Sequence, residues 1–292
     1  DRHLPDSFAE FLDADALRGA RLGLLTDYLE TAAPYRAVTN VIRAAAATMQ
    51  EHGAEVVEIQ VEGLDKLLRN TSVIGHEFTK HLATYLRASG APISSVEELL
   101  ESGQYHEALE GRYRSSLKSA EDTGEYQRRL ANRDVLARLL VETLEANDLD
   151  ALVYPTLRVR PVFLGEDQYG GLCRLSAHSG LPAISLPAGF TADGLPVGVE
   201  LLARPYADGR LIALGYAWQQ AARPRRAPQR TPSRQPPRPI ARFRAGSSMT
   251  SSASSSSRWS TRSSTSSSRT PTSTTSASTA RPSPCRTSML PG

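Results

Sequence analysis

The sequence predicts an α/β fold in which a mixed sheet is flanked by helices, followed by a disordered C-terminal tail. Three observations carry this. Apolar, Val/Leu/Ile-rich runs at 21–25, 55–61 and 150–155 alternate with segments of helical period, as in layered α/β domains. The stretch GLPAISLPAGFTADGLPVGVELLARP, 180–205, sets Asp193-Gly194 between two further apolar runs, which reads as two strands joined by a turn and makes the sheet mixed. With 292 residues, 40% hydrophobic and 22% charged, the chain is long enough for one or two ordinary domains with a sizeable core.

In chain order, RLGLL at 21–25 is the first strand. After the punctuation of Pro34, Val38, Ile42, Ala45, Ala46 and Met49 fall on one helical face and Gly53 supplies a stop. EVVEIQV at 55–61 alternates as a strand, completing a βαβ unit with a right-handed crossover. Its connection TDYLETAAPY has no G-x-G-x-x-G, so the backbone cradle of a dinucleotide site is missing. A helix over 65–86 follows, then a shorter one starting at Ser94 with a capping box from Ser94 to Glu97, then a long one over 125–146. Residues 150–155 return to a strand and lead into a loop through Tyr169-Gly170-Gly171. In the hairpin, with strands at 183–186 and 197–202, Pro182, Pro187 and Pro196 stand at strand margins, where a missing N–H costs least. Gly189 and Gly198 mark close packing or a bulge. A last helix covers 208–222.

The average charge of +3 hides two unlike segments. Of the 34 basic residues, 13 are arginines within 223–292, where no acid or lysine occurs; residues 1–222 keep 21 basic against 31 acidic residues, a formal charge of −10. The tail, rich in Ser, Thr, Pro and Arg, lacks the apolar surface needed to offset ordering entropy and is expected to be disordered. A shifted reading frame in GC-rich coding sequence would give the same bias. An Arg-rich arm can also bind nucleic acid through counterion release, but Arg-Ser alternation and aromatic-glycine repeats are missing, which weighs against that partner. A non-catalytic α/β domain with such an arm is the alternative function. No run reaches the ~20 apolar residues of a membrane helix and the N-terminus has no signal-peptide order, so a cytoplasmic protein without a membrane partner is expected. Cys173 and Cys285 are read as free thiols.

His76 and His81 resemble a zinc pair, but five residues of helix separate them by about 140°, so a shared metal is excluded and a solvated polar face is expected. His3, His52 and His106 read as surface groups. Ser94-Ser95 reads as a helix cap, Ser115-Ser116 sits in a charged helical context, and no G-x-S-x-G occurs. No residue of the chain is assigned a catalytic or metal-binding role.

The blocks LDALVYPT and CRLSAHSGLPAISLPAGFTADGLPVGVELLARPYADGRLIALGYAWQQA resemble, in order, the C-terminal part of the amidase signature family. LDADALRGARLGLLTDYLE and AAAATMQEHGAEVVEIQV resemble the segment that follows that family's catalytic core. The resemblance covers most of 1–222 and implies an amidase-type mixed sheet and hydrolysis of amide carbon–nitrogen bonds, without cofactor or metal, on a small-molecule amide in the complete family member. It also implies a Ser, cis-Ser, Lys triad in which a neutral Lys draws a proton through the bridging Ser from the nucleophile, opposite glycine-rich oxyanion donors. Those residues belong to a Gly/Ser-rich signature that this sequence lacks. The resemblance therefore implies a truncated form, inactive on its own and poorly stable in isolation. The loop before the hairpin, with Cys173, Ser176 and His178, is the expected substrate-binding wall.

Overall fold

The computed structural model describes residues 5–227. Five strands form one sheet: β1 (Arg21–Leu25), β2 (Glu55–Ile59), β3 (Ala151–Pro155), β4 (Ala183–Phe190) and β5 (Pro196–Leu202), in the order β2-β1-β3-β5-β4. β1 runs parallel to β2 and β3, whereas β5 is antiparallel to both β3 and β4, so the sheet is mixed as expected. The tail expected beyond Ala222, the frame-shift reading of it, and the assignments of Cys285 and His3 lie wholly or largely outside the described residues.

Two layers cover the sheet. On one face, α1 (Ala33–Glu51) and α8 (Asp208–Ala222) bury Val38, Ile42, Met49, Leu214 and Trp218 against Val153, Val199 and Leu201. The five α1 residues assigned to one face by helical period are all buried, and each of the larger ones contributes roughly 1.5–3 kcal/mol by leaving water. Pro34 lies within the first turn instead of before it, where its missing N–H would have had no helical partner. On the other face, α2 (Leu64–Arg69), α6 (Thr123–Ala146) and α7 (Arg174–Ser179) pack Leu64, Leu136, Leu140 and Leu175 over Leu25, Leu152 and Tyr154. Gly23 lets this layer close: a Cβ there would lie 2.6 Å from Leu149 Cδ1 and 3.0 Å from Ile59 Cγ1.

The helical middle departs from the expected pattern. The helix expected over 65–86 is two helices, α2 and α3 (Ile74–Ser89). Asn70 and Thr71 break it, because Asn70 Nδ2 donates to the Lys66 carbonyl and Thr71 Oγ1 to the Leu68 carbonyl, ending the first helix with side-chain bonds. α4 (Val96–Ser102) is capped one residue later than expected. Ser95 Oγ accepts the Glu98 N–H, while the Glu98 carboxylate reaches back to the Ser94 N–H. α5 (Glu110–Glu121) packs on α3, where Phe78 and Tyr113 stack with centroids 5.9 Å apart. His76, expected on a solvated face, instead binds the Ser119 carbonyl through Nδ1 at 2.6 Å. His52 and His106 are exposed and bond to local backbone.

The hairpin is longer than its apolar cores suggest, and Pro187 lies inside β4, not at its margin. Alternation explains why it is tolerated. The Thr156 N–H donates to the Gly198 carbonyl, so the Gly198 backbone faces β3 and that of its partner Pro187 faces away from β5, where no ladder N–H is required. A register shift between Pro187 and Gly189 supplies the bulge, and Gly189 has φ +149°. At Gly198 a Cβ would lie 2.7 Å from Thr156 Oγ1.

Candidate functional site

One cross-strand row departs from the hydrocarbon character of the sheet. Tyr154 on β3 stands opposite Glu200 on β5, which stands opposite Ser185 on β4. Directly opposed residues share a face, so this row lies on the side covered by α6 and α7. Its middle is buried, Tyr154 fully and Glu200 to 5% exposure, while Ser185 is exposed at the sheet edge. One step along, Thr156 Oγ1 meets Ser185 Oγ at 2.9 Å across the space left by Gly198. A polar lane thus runs from the rim under the cover of α7.

The lane is incompletely satisfied. Tyr28 Oη, Tyr154 Oη and Glu200 Oε2 are buried without a hydrogen-bond partner among the described residues. Burial raises the Glu200 carboxyl above the usual carboxylate range, partly opposed by the neighbouring Tyr154 hydroxyl. Burial also raises the Tyr154 phenol well above its ordinary value, and the Glu200 charge adds to this. The Tyr28 phenol is raised by burial and then by Asp27, against lowering by Arg158 and Arg174. Both phenols stay protonated at neutral pH, and the Tyr154 O–H stands beside the Glu200 carboxyl as a donor to an acceptor.

Arg158 frames the lane. Its guanidinium lies between the rings of Tyr28 and Tyr35, 5.5 and 5.1 Å from their centroids, and pairs with Glu30. Its backbone N–H donates to the Gly170 carbonyl, tying the start of the 156–172 loop to its end. Farther out on that loop, Phe163 and Leu164 are almost wholly exposed.

The segment expected to form a substrate wall is not a loop but the short helix α7 with its cap. Cys173 is exposed at the N-terminal cap of the helix. Ser176 Oγ donates back to the Cys173 carbonyl. His178 is buried on the other side, its Nδ1 2.7 Å from Thr71 Oγ1. Because that hydroxyl already donates to Leu68, the imidazole carries its proton on Nδ1. Burial lowers the His178 pKa, with Arg133 and Arg174 adding to the effect. The structure thus leaves Cys173 exposed at the N-terminal cap of α7 and places His178 beneath the helix. Sequence reasoning passes over Glu200, Tyr154, Tyr28 and Arg158. The available signal is a carboxylate in the middle of the apolar run VGVELL.

The Amidase family profile matches residues 3–212. The chain belongs to the amidase family. Among its relatives, a glutamyl-tRNA(Gln) amidotransferase subunit from Rhodopirellula baltica is 29% identical over 243 residues, covering 75% of this chain and 48% of that protein. The corresponding amidotransferase subunit from Methanothermobacter thermautotrophicus is 29% identical over 213 residues, covering 68% and 43%. The peptide amidase of Stenotrophomonas maltophilia superposes with a TM-score of 0.61 at 26% identity, covering 76% of this chain and 48% of that one. The chain spans about half the length of the amidase relatives it matches. No helix among the described residues is long and apolar enough to cross a membrane.

Proposed function

We propose that this chain is the C-terminal portion of an amidase-family hydrolase acting on the carbon–nitrogen bond of small-molecule amides, and that a Ser, cis-Ser, Lys triad reaches the site from sequence outside it. The observation that carries this reading is a family match over 3–212 in a chain whose three lysines are all exposed. Its three lysines, Lys66, Lys80 and Lys118, are exposed on α2, α3 and α5, whereas a Lys acting as base must be desolvated to be neutral. Ser95, Ser176 and Ser179 donate to or cap local backbone.

In this reading the chain supplies one wall of the site. Cys173 and Ser176 line it, His178 anchors α7 from below, and the Tyr154–Glu200–Ser185 row is its polar floor. Three further features support a missing cover: the uncharged edge of β4, the exposed Ala183 and Ser185 on its α7-side face, and the exposed Phe163 and Leu164 nearby. A cytoplasmic location goes with this assignment.

The direct test is a panel of amides incubated with the purified chain, with ammonia or amine release as readout. The expected result is no turnover above a heat-treated control. Turnover that persists through stringent purification overturns the proposal that the triad lies elsewhere, while leaving family membership intact.

A further inference from the structure

On the opposite face of the sheet from Glu200, a cleft of about 930 Å³ opens between α1, the end of β4 with its turn, and the end of α8. Its volume lies in the range of small-molecule sites, roughly 300–1,000 Å³. The floor is apolar, formed by Val41 and Ala44 of α1, Phe190 of β4 and Trp218 of α8. Trp218 is fixed there because its Nε1 donates to the Pro187 carbonyl at 2.9 Å.

The rim is cationic. Arg36 is exposed, and its guanidinium makes no ion pair or hydrogen bond among the described residues. Arg226 lies 3.8 Å from the centroid of the Phe190 ring, and Arg160 pairs with the single lining carboxylate, Asp193. Two lining guanidinium groups, Arg36 and Arg160, therefore face one lining carboxylate, with Arg226 stacked on Phe190 beside them, on a body whose residues 1–222 carry a formal charge of −10. A generally acidic surface repels anions, so a local excess of arginine beside apolar walls selects a ligand with a negative head and an apolar body. Arginine suits such a head because its planar fork pairs bidentately with a carboxylate.

We propose that this cleft binds an amphipathic carboxylate, an acyl or aryl acid, with its body on Val41, Ala44 and Trp218 and its carboxylate at Arg36. The apolar lining sets the tail and the unpaired guanidinium sets the sign of the head. This assignment is independent of the proposed hydrolase activity.

The test uses the full chain carrying Trp259→Phe, which leaves Trp218 as the sole indole. Decanoate and decyltrimethylammonium are titrated separately below their micelle concentrations while Trp218 emission is followed. The expected result is saturable, one-site binding of decanoate and none of the cation. Arg36→Glu, at an exposed position, weakens decanoate binding at least about tenfold, a change of about 1.4 kcal/mol. Ala44→Phe, which fills the cleft, abolishes binding, and Ala183→Lys, on the other face, leaves it unchanged. Equal binding of both amphiphiles, lack of saturable decanoate binding, or an affinity indifferent to Arg36→Glu overturns the proposal. The Arg36 variant carries the test if Ala44→Phe fails to fold.

Discussion

Tyr154 and Glu200 face each other across β3 and β5, both buried, with the Tyr154 hydroxyl directed at the Glu200 carboxyl but, among the described residues, no well-formed hydrogen bond at Tyr154 Oη or Glu200 Oε2. A buried polar group without a well-formed partner costs about 1–3 kcal/mol, so this pair is a weak point of the fold.

The first prediction concerns that cost. The folded Glu200 carboxyl is raised above its unfolded value, so in the pH range just above the ordinary carboxylate pKa the native state binds the extra proton. Stability from this group is retained at low pH and lost as pH rises through the raised folded value. Glu200→Gln is expected to flatten that decline and to stabilise the chain by about 1 kcal/mol at pH 8. Urea unfolding from pH 4 to 8 measures it; a parallel decline in both proteins would show that Glu200 is not its source.

His178 gives a pH dependence of opposite direction. Its folded pKa is lowered, so the unfolded chain takes up the proton first as pH falls through about 6.5. Stability drops from there and levels off below the folded value. His178→Gln removes this component. Thr71→Val deletes the hydroxyl that meets Nδ1 and is expected to cost about 1–2 kcal/mol at pH 8. An unchanged pH profile in His178→Gln would count against a buried neutral imidazole.

Gly23→Ala tests the packing of β1. The added methyl would meet Leu149, Ile59 and Leu152 at 2.6–3.1 Å, all within one closed layer. Overpacking of this kind costs about 1–3 kcal/mol. A loss below ~0.5 kcal/mol in the urea midpoint would mean that the layer relaxes freely.

The parts legible in the sequence are those fixed by local period. The α1 face of Val38, Ile42 and Met49 and the limits of α8 follow from apolar spacing, and Gly189 and Gly198 follow from their lack of a side chain. The broken helix at Asn70 and Thr71 is hidden because the Thr71 hydroxyl meets a partner 107 residues away, His178. The site is less legible still. Tyr154, Glu200 and Ser185 become neighbours only through strand order, and β5 inserts between β3 and β4 although β4 precedes it in the chain. Pairing across strands leaves no spacing signal, so the isolated carboxylate in VGVELL is the available clue.

The two sheet edges differ in a way that predicts association. β2 carries Glu55 and Glu58, paired with Arg21 and Arg43, a charged guard against strand addition. β4, the longest strand, carries no charge. Its open ladder is limited at one end, because Pro187 has no N–H and its carbonyl is taken by Trp218. The Ala203 N–H donates to the Pro182 carbonyl, and continued alternation turns the N–H and C=O groups of Ala183 and Ser185 outward. A short pairing window at 183–185 therefore stands open beside exposed Ala183 and Ser185 side chains. Ala183→Lys places a charge in that window without touching the buried row and is expected to lower the aggregation rate of the purified chain several-fold, raising its monomer fraction in light scattering. Glu58→Ala, which removes a guard from β2, should move both quantities the other way. If the lysine leaves aggregation unchanged while the Glu58 variant accelerates it, β2 rather than β4 is the adhesive edge, and the cover proposed for the β4 side loses its main support.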